Sequence, residues 1–555
     1  MLCHHCPAVR TSEPPPRHDS PARLVLGAGI AAVAGGWGAV AAAGWAWTDG
    51  RAPTPSALRL VIDAGHPAHS WPAGTRLPPS GMLVGAQLLG AVVGLAVVII
   101  PVLALAGRPG GLDAPDWGDG LRPRAGRRGA GRRGWARRRD LTTLAVRRPT
   151  AGRLTLGYAD RGRILLAAEP RASVVVLGPS QSGKTRGLAI PAVLEWDGPV
   201  IATSVKRDLV RDTISGRSAR GPTWVYDPTG STGLRATTWS PLAACTTWQG
   251  ARRTAAWLCS GARTNPAAGS GEEDFWYAAA GKLLAPYLFA AAIGGSHMGQ
   301  VVRWIDGQAE DDVAAILARH PDALSVASAS WQRDDRTRSS VFTTAEMVLE
   351  AFADPAIVGS ATTSEVDPAV LLGGEATTLY VCAPGHEQER LRPVFATLLH
   401  TVITAAYDAG DLRRPLLIVL DEAANIAPLR DLDAIASTAA GHGIQLVTVW
   451  QDLAQVRARY GERASTVVNN HRAKVVLSGI SDPATLEYTS RLIGDSDVSD
   501  HSLTIDASGG RSTTRSRRER RLAPDSELRG IRPGEGVLVY GHLPPTRIRL
   551  RTGGR

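Results

Sequence analysis

Cysteine is scarce in this 555-residue chain: five occur, and Cys245, Cys259 and Cys382 stand far apart in sequence. That spacing excludes a disulfide framework and fits a reducing compartment for most of the chain. The other two belong to Cys3-His4-His5-Cys6, which has the ligand types of a metal tract but lies at an unanchored terminus beside a Pro-rich run; a disordered tip is the expectation there. No internal repeat is visible. Charge is missing altogether from two long stretches, Leu24 to Trp47 and Leu77 to Gly107. Each is long enough to cross a bilayer core of roughly 30 Å as a helix, and buried core helices rarely stay uncharged all round. A cleaved signal peptide is the alternative for the first stretch. Against it, the stretch begins more than twenty residues in, ends in Trp45 and Trp47 as an interfacial belt does, and is followed by a second span.

The net charge of +11 is uneven: nine arginines fall between Arg122 and Arg139 and six between Arg511 and Arg521. Without these blocks the chain is close to neutral, so its basic character does not imply a core wrapped in nucleic acid. Arg10, Arg17 and Arg23 precede the first span and the long Arg block follows the second, while the connecting loop of residues 48–80 holds only Arg51, Arg59 and Arg76. The positive-inside rule puts both termini in the cytoplasm and a short loop outside. The Arg122–Arg139 block reads as a juxtamembrane segment held to anionic lipid headgroups, with nucleic acid as the alternative partner.

Past about residue 150 the pattern becomes an α/β alternation. Short apolar runs read as buried strands at Val174–Leu177, Val200–Ala202, Trp224–Tyr226, Thr378–Cys382, Leu416–Leu420, Leu446–Val449, Lys474–Leu477 and Gly536–Tyr540. Their lack of polar alternation predicts a sheet covered on both faces. Between 245 and 355 strand signals vanish and Ala- and Leu-rich helical patterns such as Trp276–Ala292 and Asp311–Ala318 take over, as an all-helical insertion would. Val498 to Arg521 is polar and rich in Ser, Thr and Arg, and reads as a mobile loop. The expected organisation is a tail (1–23), a two-helix membrane anchor (24–107), an Arg-rich linker (108–150), a first part of an NTPase domain (151–244), the inserted all-α domain (245–355) and the second NTPase part (356–555).

Gly178-Pro179-Ser180-Gln181-Ser182-Gly183-Lys184-Thr185 follows an apolar strand and fits the phosphate-loop pattern G-x-x-x-x-G-K-[ST]. Glycines let backbone N–H groups turn inward around phosphates, helped by the positive end of the next helix. Lys184 is placed to reach the β- and γ-phosphates and the Thr185 hydroxyl to hold Mg²⁺. A second apolar run ends in Asp421-Glu422, where Asp421 can hold Mg²⁺ and Glu422 can orient and deprotonate water; the plainer role for such an Asp is a helix cap. Gln451 falls at the carboxyl end of the next strand, the edge where open α/β sheets bind ligands, and is a candidate γ-phosphate sensor.

"VVVLGPSQSGKTRG", "SVKRDLVRDT", "YDPTG", "EEDFWYAAAGKLLAPYLFAAA", "LLIVLDEAANI", "GHGIQLVTVWQDLAQVRARYG" and "RRLAPDSELRGIRPGEGVLVYGHLPP", in this order behind two spans, resemble the VirD4/TraG/TraD coupling proteins over nearly all of residues 24–550. The resemblance implies a RecA-like P-loop NTPase domain with an inserted all-α domain, preceded by two transmembrane helices and working as a homo-hexamer in the inner membrane. It implies ATP and Mg²⁺ as cofactors, relaxase-linked single-stranded DNA or secreted protein as cargo, and secretion-channel components as partners. Lys184 and Thr185, Asp421 and Glu422, and Gln451 match the family's phosphate loop, acidic pair and later Gln. Lys206 matches an Asp/Ser-x-Lys pattern, facing nucleotide or neighbour or simply starting a helix. Trp276 matches a family aromatic, with core packing as its plainer role.

One departure stands out. Relatives often carry an arginine about eleven residues before that Gln, able to reach a neighbour's γ-phosphate; here Ala440 occupies the place in Ala439-Ala440-Gly441-His442-Gly443. Arg430, Arg457 and Arg472 are candidates by vicinity only, and His442 reads as a turn residue. Two other readings compete with a coupling ATPase. One is an FtsK-like septal double-stranded DNA pump, which usually has more spans and a C-terminal winged domain for which this sequence has no room. The other is a non-hydrolysing membrane receptor, against which the intact Lys184, Thr185, Asp421 and Glu422 argue.

Overall fold

The structure, a computed structural model, describes residues 34, 36–48, 53–57, 59, 63, 66–106, 134–263, 271–425, 429–505 and 511–551. Cys3-His4-His5-Cys6 and most of the Arg122–Arg139 block lie outside them. The chain forms two compact units, Met1–Arg128 and Gly129–Arg555.

In the first unit residues 36–47 are helical and Ser80–Ala106 is a 27-residue helix, roughly 40 Å at 1.5 Å per residue. Trp71, from the connecting loop, is buried with Val40 and Leu83. A Cβ on Gly44 would come within 2.4 Å of its ring, so a glycine is required where the indole crosses the helix. Leu88, Leu89, Val92 and Val93 stand 54–67% exposed along one stretch of the long helix. Only part of the expected first span lies among the described residues, and the described side chains of the second end at Val93. The one described helix that meets both the length and the apolarity of a span is Glu273–Ile293, and it is mostly buried in the second unit's core.

The second unit is built on a twelve-stranded sheet. In chain order its strands are β1 (Ala145–Val146), β2 (Thr155–Ala159), β3 (Ile164–Ala167), β4 (Val174–Leu177), β5 (Val200–Ser204), β6 (Thr223–Tyr226), β7 (Thr378–Cys382), β8 (Leu416–Leu420), β9 (Ile444–Trp450) and β10 (Ala473–Leu477). A separate hairpin is β11 (Asp495–Ile505) with β12 (Arg511–Arg521), and the sheet is completed by β13 (Glu535–Tyr540) and β14 (Thr546–Arg549). The spatial order is 1-3-2-14-13-10-4-9-8-5-7-6. All pairings from β10 through β6 are parallel, and those from β1 to β10 are antiparallel. Residues of β4, β5, β7, β8 and β9 are buried throughout, because helices cover both faces of the parallel part.

Between β6 and β7 the chain leaves the sheet for a helical block running from Trp248–Ala262 to Pro368–Leu372. Its longest helix, Gly271–Ile293, packs Tyr287 edge-on to Trp331 and Phe342. Trp276 is half-buried against this core and meets Phe275 at 5.0 Å, the packing role. The expected loop at 498–521 is instead an antiparallel hairpin, with Asp495 opposite Arg521 and Ile505 opposite Arg511. A backbone ladder forms regardless of side-chain polarity, and without an apolar face it leaves no period-2 signal to read.

Candidate nucleotide site

Three chain segments leave the sheet side by side at its carboxyl edge. β4 runs into the loop Gly178–Thr185, β8 into Asp421-Glu422, and β9, which lies between them, into Gln451. The loop is tied to β9 by the Gly178 N–H donating to the Trp450 carbonyl at 3.0 Å, and the segment after β8 by the Ala423 N–H donating to Val449 at 3.1 Å. A Cβ on Gly178 would lie 2.6 Å from Ser182 Oγ and 3.1 Å from Leu477, so the turn closes only around a glycine. Gln181 (φ 67°), Gly183 (φ 91°) and Glu422 (φ 58°) all adopt left-handed backbone. For Gln181 and Glu422 this is strained geometry of the kind that collects at functional sites. Behind the loop, Thr185–Ala189 forms a wide π-type turn leading into the helix Ile190–Glu195.

The side chains converge. Lys184 is buried and its Nζ donates to the carbonyls of Gly178 (2.8 Å) and Pro179 (3.0 Å). Burial lowers its pKa, with Asp421 and Glu422 acting against the shift. Thr185 Oγ1 donates to Asp421 Oδ2 at 2.9 Å, joining the phosphate loop to the acidic pair across 236 residues of sequence. Asp421 is buried, and burial pushes its carboxyl up to about 6, opposed by the Thr185 hydrogen bond and reinforced by Glu422. Its Oδ1 and the Ser182 hydroxyl are buried without a hydrogen-bond partner. Two orphaned oxygens beside a buried ammonium suit a Mg²⁺–phosphate group: Asp421 would face the cation, the Ser182 hydroxyl would meet a phosphate oxygen, and the lysine would exchange loop carbonyls for phosphate. Half-buried Glu422 receives Asn425 Nδ2 at 3.4 Å, and half-buried Gln451 is fixed through its backbone N–H, which donates to Gln455 Oε1 at 2.9 Å.

Other expected residues fall elsewhere. Lys206 is exposed just beyond β5, near enough to act electrostatically on both Lys184 and Asp421. Ala440 is exposed, and His442 stacks on Tyr407 at 4.3 Å, a turn residue with a packing partner. Arg430 lies 3.5 Å from Asp274, and Arg472 pairs with Glu169 at 2.8 Å and covers the Tyr540 ring, while Arg457 is exposed. Two features escaped the sequence reading. Thr203 Oγ1 donates to the Asp421 backbone carbonyl at 3.3 Å. Leu550, after β14, seats its side chain where a Cβ on Gly187 would come within 2.7 Å, and Arg551 pairs with Glu195. No short-range pattern signals either contact, since each joins segments hundreds of residues apart.

The family model described as Type IV secretory system Conjugative DNA transfer matches residues 130–550. The conjugal transfer protein TraG of Agrobacterium fabrum is 23% identical over 392 residues, covering 67% of this chain and 59% of TraG. Protein VirD4 of the same organism is 25% identical over 426 residues, covering 73% and 62%. The chain thus spans about six tenths of the length of these relatives. Among solved structures, the bacterial conjugative coupling protein TrwBΔN70 in its unbound form is similar at a TM-score of 0.58 and 20% identity, over 73% of this chain and 90% of that one. The plasmid coupling protein TrwB in complex with ADP and Mg²⁺ follows at 0.55 and 20%, over 69% and 85%. The fold is therefore that of the RecA-like coupling proteins, and with a match from residue 130 to residue 550 the chain belongs to the type IV secretory system conjugative DNA transfer family.

Proposed function

We propose that this chain is a membrane-anchored, ATP-driven translocase that couples DNA, carried as a relaxase-linked single strand, or a protein substrate to a secretion channel. The observation that carries the catalytic part is the Thr185–Asp421 hydrogen bond beside buried Lys184, with Asp421 Oδ1 and Ser182 Oγ left unpartnered. In this reading Lys184 releases the Gly178 and Pro179 carbonyls to neutralise the β- and γ-phosphates, and the loop N–H groups hold the phosphate chain. Thr185 and Asp421 hold Mg²⁺, which when bound neutralises charge on the phosphates. Glu422 orients the attacking water and accepts its proton. Gln451, at the end of the strand between loop and acidic pair, registers the γ-phosphate and passes its loss to the helix Leu453–Tyr460 that follows.

The anchor rests on the two charge-free stretches and on the exposed Leu88, Leu89, Val92 and Val93, with both termini cytoplasmic as the arginine placement requires. The test is ATP turnover by the full chain in lipid nanodiscs, alone and with single- or double-stranded DNA. Turnover raised by single-stranded DNA and stopped by Glu422→Gln, with nucleotide still bound, is expected. Absence of turnover under every condition overturns the motor. Stimulation by double-stranded DNA alone favours a duplex pump.

A further inference from the structure

The loop joining the two helices of the first unit carries Asp63-Ala-Gly-His66-Pro-Ala-His69, a spacing of three and three. His66 caps the short 3₁₀ helix Pro67–Ser70, with Pro at its first position. In a 3₁₀ turn, side chains three apart eclipse one another. The His66 and His69 rings are accordingly stacked, 5.3 Å between centroids and 16° between planes. Both turn Nδ1 toward one carboxylate: His66 lies 3.1 Å from Asp63 Oδ1 and His69 2.6 Å from Asp63 Oδ2. One donor atom from each of the three residues falls within 4.8 Å of the others.

The loop that presents them is braced. The Asp63 N–H donates to Arg59 C=O at 2.9 Å, His66 N–H to Asp63 C=O at 3.0 Å, His69 N–H to His66 C=O at 2.9 Å, and Ser56 N–H to Ser70 C=O at 2.7 Å. Ser70 Oγ closes the turn on Pro67 C=O, the next residue, Trp71, is buried on Gly44, and Trp37 Nε1 donates to Pro55 C=O at 2.8 Å. The three donors themselves remain open to solvent: the side chains of His66 and His69 are 71% and 67% exposed and Asp63 is 42% exposed.

We propose that Asp63, His66 and His69 form a binding site for one zinc-class divalent transition ion, on the loop between the two helices and separate from the nucleotide site. Two imidazoles and a carboxylate match zinc, whose protein ligands are N, S and O donors at about 2.0–2.3 Å. They do not match Mg²⁺ or Ca²⁺, which take oxygen ligands. Bound ligand atoms stand roughly 3.3 Å apart in a tetrahedron of that size, close to the 3.1 Å between His66 and Asp63 and wider than the 2.6 Å between His69 and Asp63, so the His69 ring must draw back as the ion enters. Binding needs each imidazole to present a lone pair from Nδ1 and to carry its proton on Nε2, a tautomer shift that replaces the hydrogen bonds to Asp63 with bonds to the ion. Three protein ligands leave a fourth position for water or for a donor from another molecule. An ion held here pins the loop in the form that buries Trp71.

The test is zinc binding by the full chain in nanodiscs, purified without a polyhistidine tag. Cys3, His4, His5 and Cys6 are replaced by Ser or Ala, so that the Cys/His tract near the start of the sequence cannot take the ion. Competition with a fluorescent chelator is expected to show one Zn²⁺ per chain, unaffected by millimolar Mg²⁺. His66→Ala/His69→Ala is expected to weaken binding by at least about 100-fold, more than loss of an outer hydrogen-bond partner costs a metal site, and Asp63→Asn by less. X-ray absorption at the zinc edge is expected to show nitrogen and oxygen donors without sulfur. Because all three side chains are exposed, each variant is expected to keep the parent's thermal unfolding profile in the absence of zinc. The proposal is overturned if the parent binds no Zn²⁺, if the double variant binds it equally well, or if Mg²⁺ displaces it.

Discussion

The parallel sheet buries a cation at each of its edges and treats the two in opposite ways. At the amino edge Arg217 is fully buried, its Nε donating to Thr378 Oγ1 at 2.7 Å and its two NH₂ groups to the carbonyls of Trp196 (2.5 Å), Gly198 (2.8 Å) and Ala376 (2.9 Å). Burial brings its pKa down to about 10, which leaves it charged at any physiological pH. At the carboxyl edge Lys184 holds only two loop carbonyls, and its neighbours Asp421 Oδ1 and Ser182 Oγ hold nothing. Left-handed Gln181 and Glu422 flank it. A guanidinium fork that satisfies several carbonyls at once is a structural rivet. A half-satisfied ammonium among orphaned oxygens is a group whose partner arrives from solution.

Substitutions at the two edges should therefore separate function from stability. The largest effect is expected from Lys184→Ala: turnover falls by about 10³-fold or more, as loss of a charge-stabilising group at a reacting phosphate requires, while the midpoint of thermal unfolding without nucleotide stays within about 2 °C. Turnover surviving in this variant places the site elsewhere. Next comes Arg217→Ala, which orphans several buried carbonyls at once and should cost about 3–5 kcal/mol in denaturant unfolding. Arg217→Lys should recover little, since one ammonium cannot reach carbonyls spread around a planar fork. If Arg217→Ala left unfolding unchanged but slowed turnover, the contrast between the edges would be wrong.

The same contrast explains what could be read from sequence. The phosphate loop, the acidic pair and the strands bearing them are legible because each is a contiguous run with its own local logic: an apolar strand, then Gly or Asp at the turn. Arg217 carried no signal, being one of three arginines on an amphipathic helix; only the tertiary fold shows that its five bonded neighbours converge. The β11–β12 hairpin was hidden for a related reason. Its Ser, Thr and Arg residues show no apolar alternation, and backbone pairing has no sequence signature of its own. The strands β1, β2 and β14 were hidden for local reasons: β1 has two residues, β2 is broken by Gly157, and β14 alternates with arginines.

A third prediction uses pH to weigh the carboxyl edge. The Asp421 carboxyl titrates near 6 in the folded chain against 3.8 for an unperturbed one. A carboxyl with a raised folded pKa favours the native state at low pH, and that advantage disappears as pH rises from about 4 through about 6. Asp421 thus costs the nucleotide-free protein up to about 3 kcal/mol at pH 7.5. Buried His471, held between Thr448 Oγ1 and the Val467 carbonyl, is pushed down to about 4 from 6.5. Its effect runs the other way, adding stability as pH rises from about 4 to 6.5. The overall profile mixes both, so the informative quantity is a difference. Asp421→Asn should stabilise the nucleotide-free protein relative to the parent at pH 7.5, and the gain should shrink toward zero near pH 4. A gain independent of pH would mean that the Asp421 charge is not what the site strains against. The variant should also lose the extra stabilisation that Mg²⁺ adds to bound ATP.

The smallest expected effect probes how far the carboxyl edge depends on the end of the sheet. Gly187 lies in the π-type turn behind the phosphate loop, and a Cβ there would come within 2.7 Å of Leu550 Cβ and 2.9 Å of its Cδ1. Two terms oppose each other in Gly187→Ala. Alanine favours the helical backbone by up to about 1 kcal/mol, while overpacking a closed contact costs about 1–3 kcal/mol. Both close atoms belong to a residue whose backbone is held by the Leu550 N–H donating to Gly534 C=O at 2.7 Å, so Leu550 cannot simply withdraw. The clash wins by about 1 kcal/mol, and Leu550→Ala in the same chain should return little of it, because alanine keeps the Cβ that makes the 2.7 Å contact. Because a Cβ on Gly183 of the phosphate loop would lie 3.5 Å from Leu550 Cδ1, the loop packs near the same side chain, and Gly187→Ala should weaken nucleotide binding as well, measured by titration with a fluorescent ATP analogue. A loss of stability with unchanged nucleotide affinity would show that the β14 end braces the helix without reaching the loop that binds phosphate.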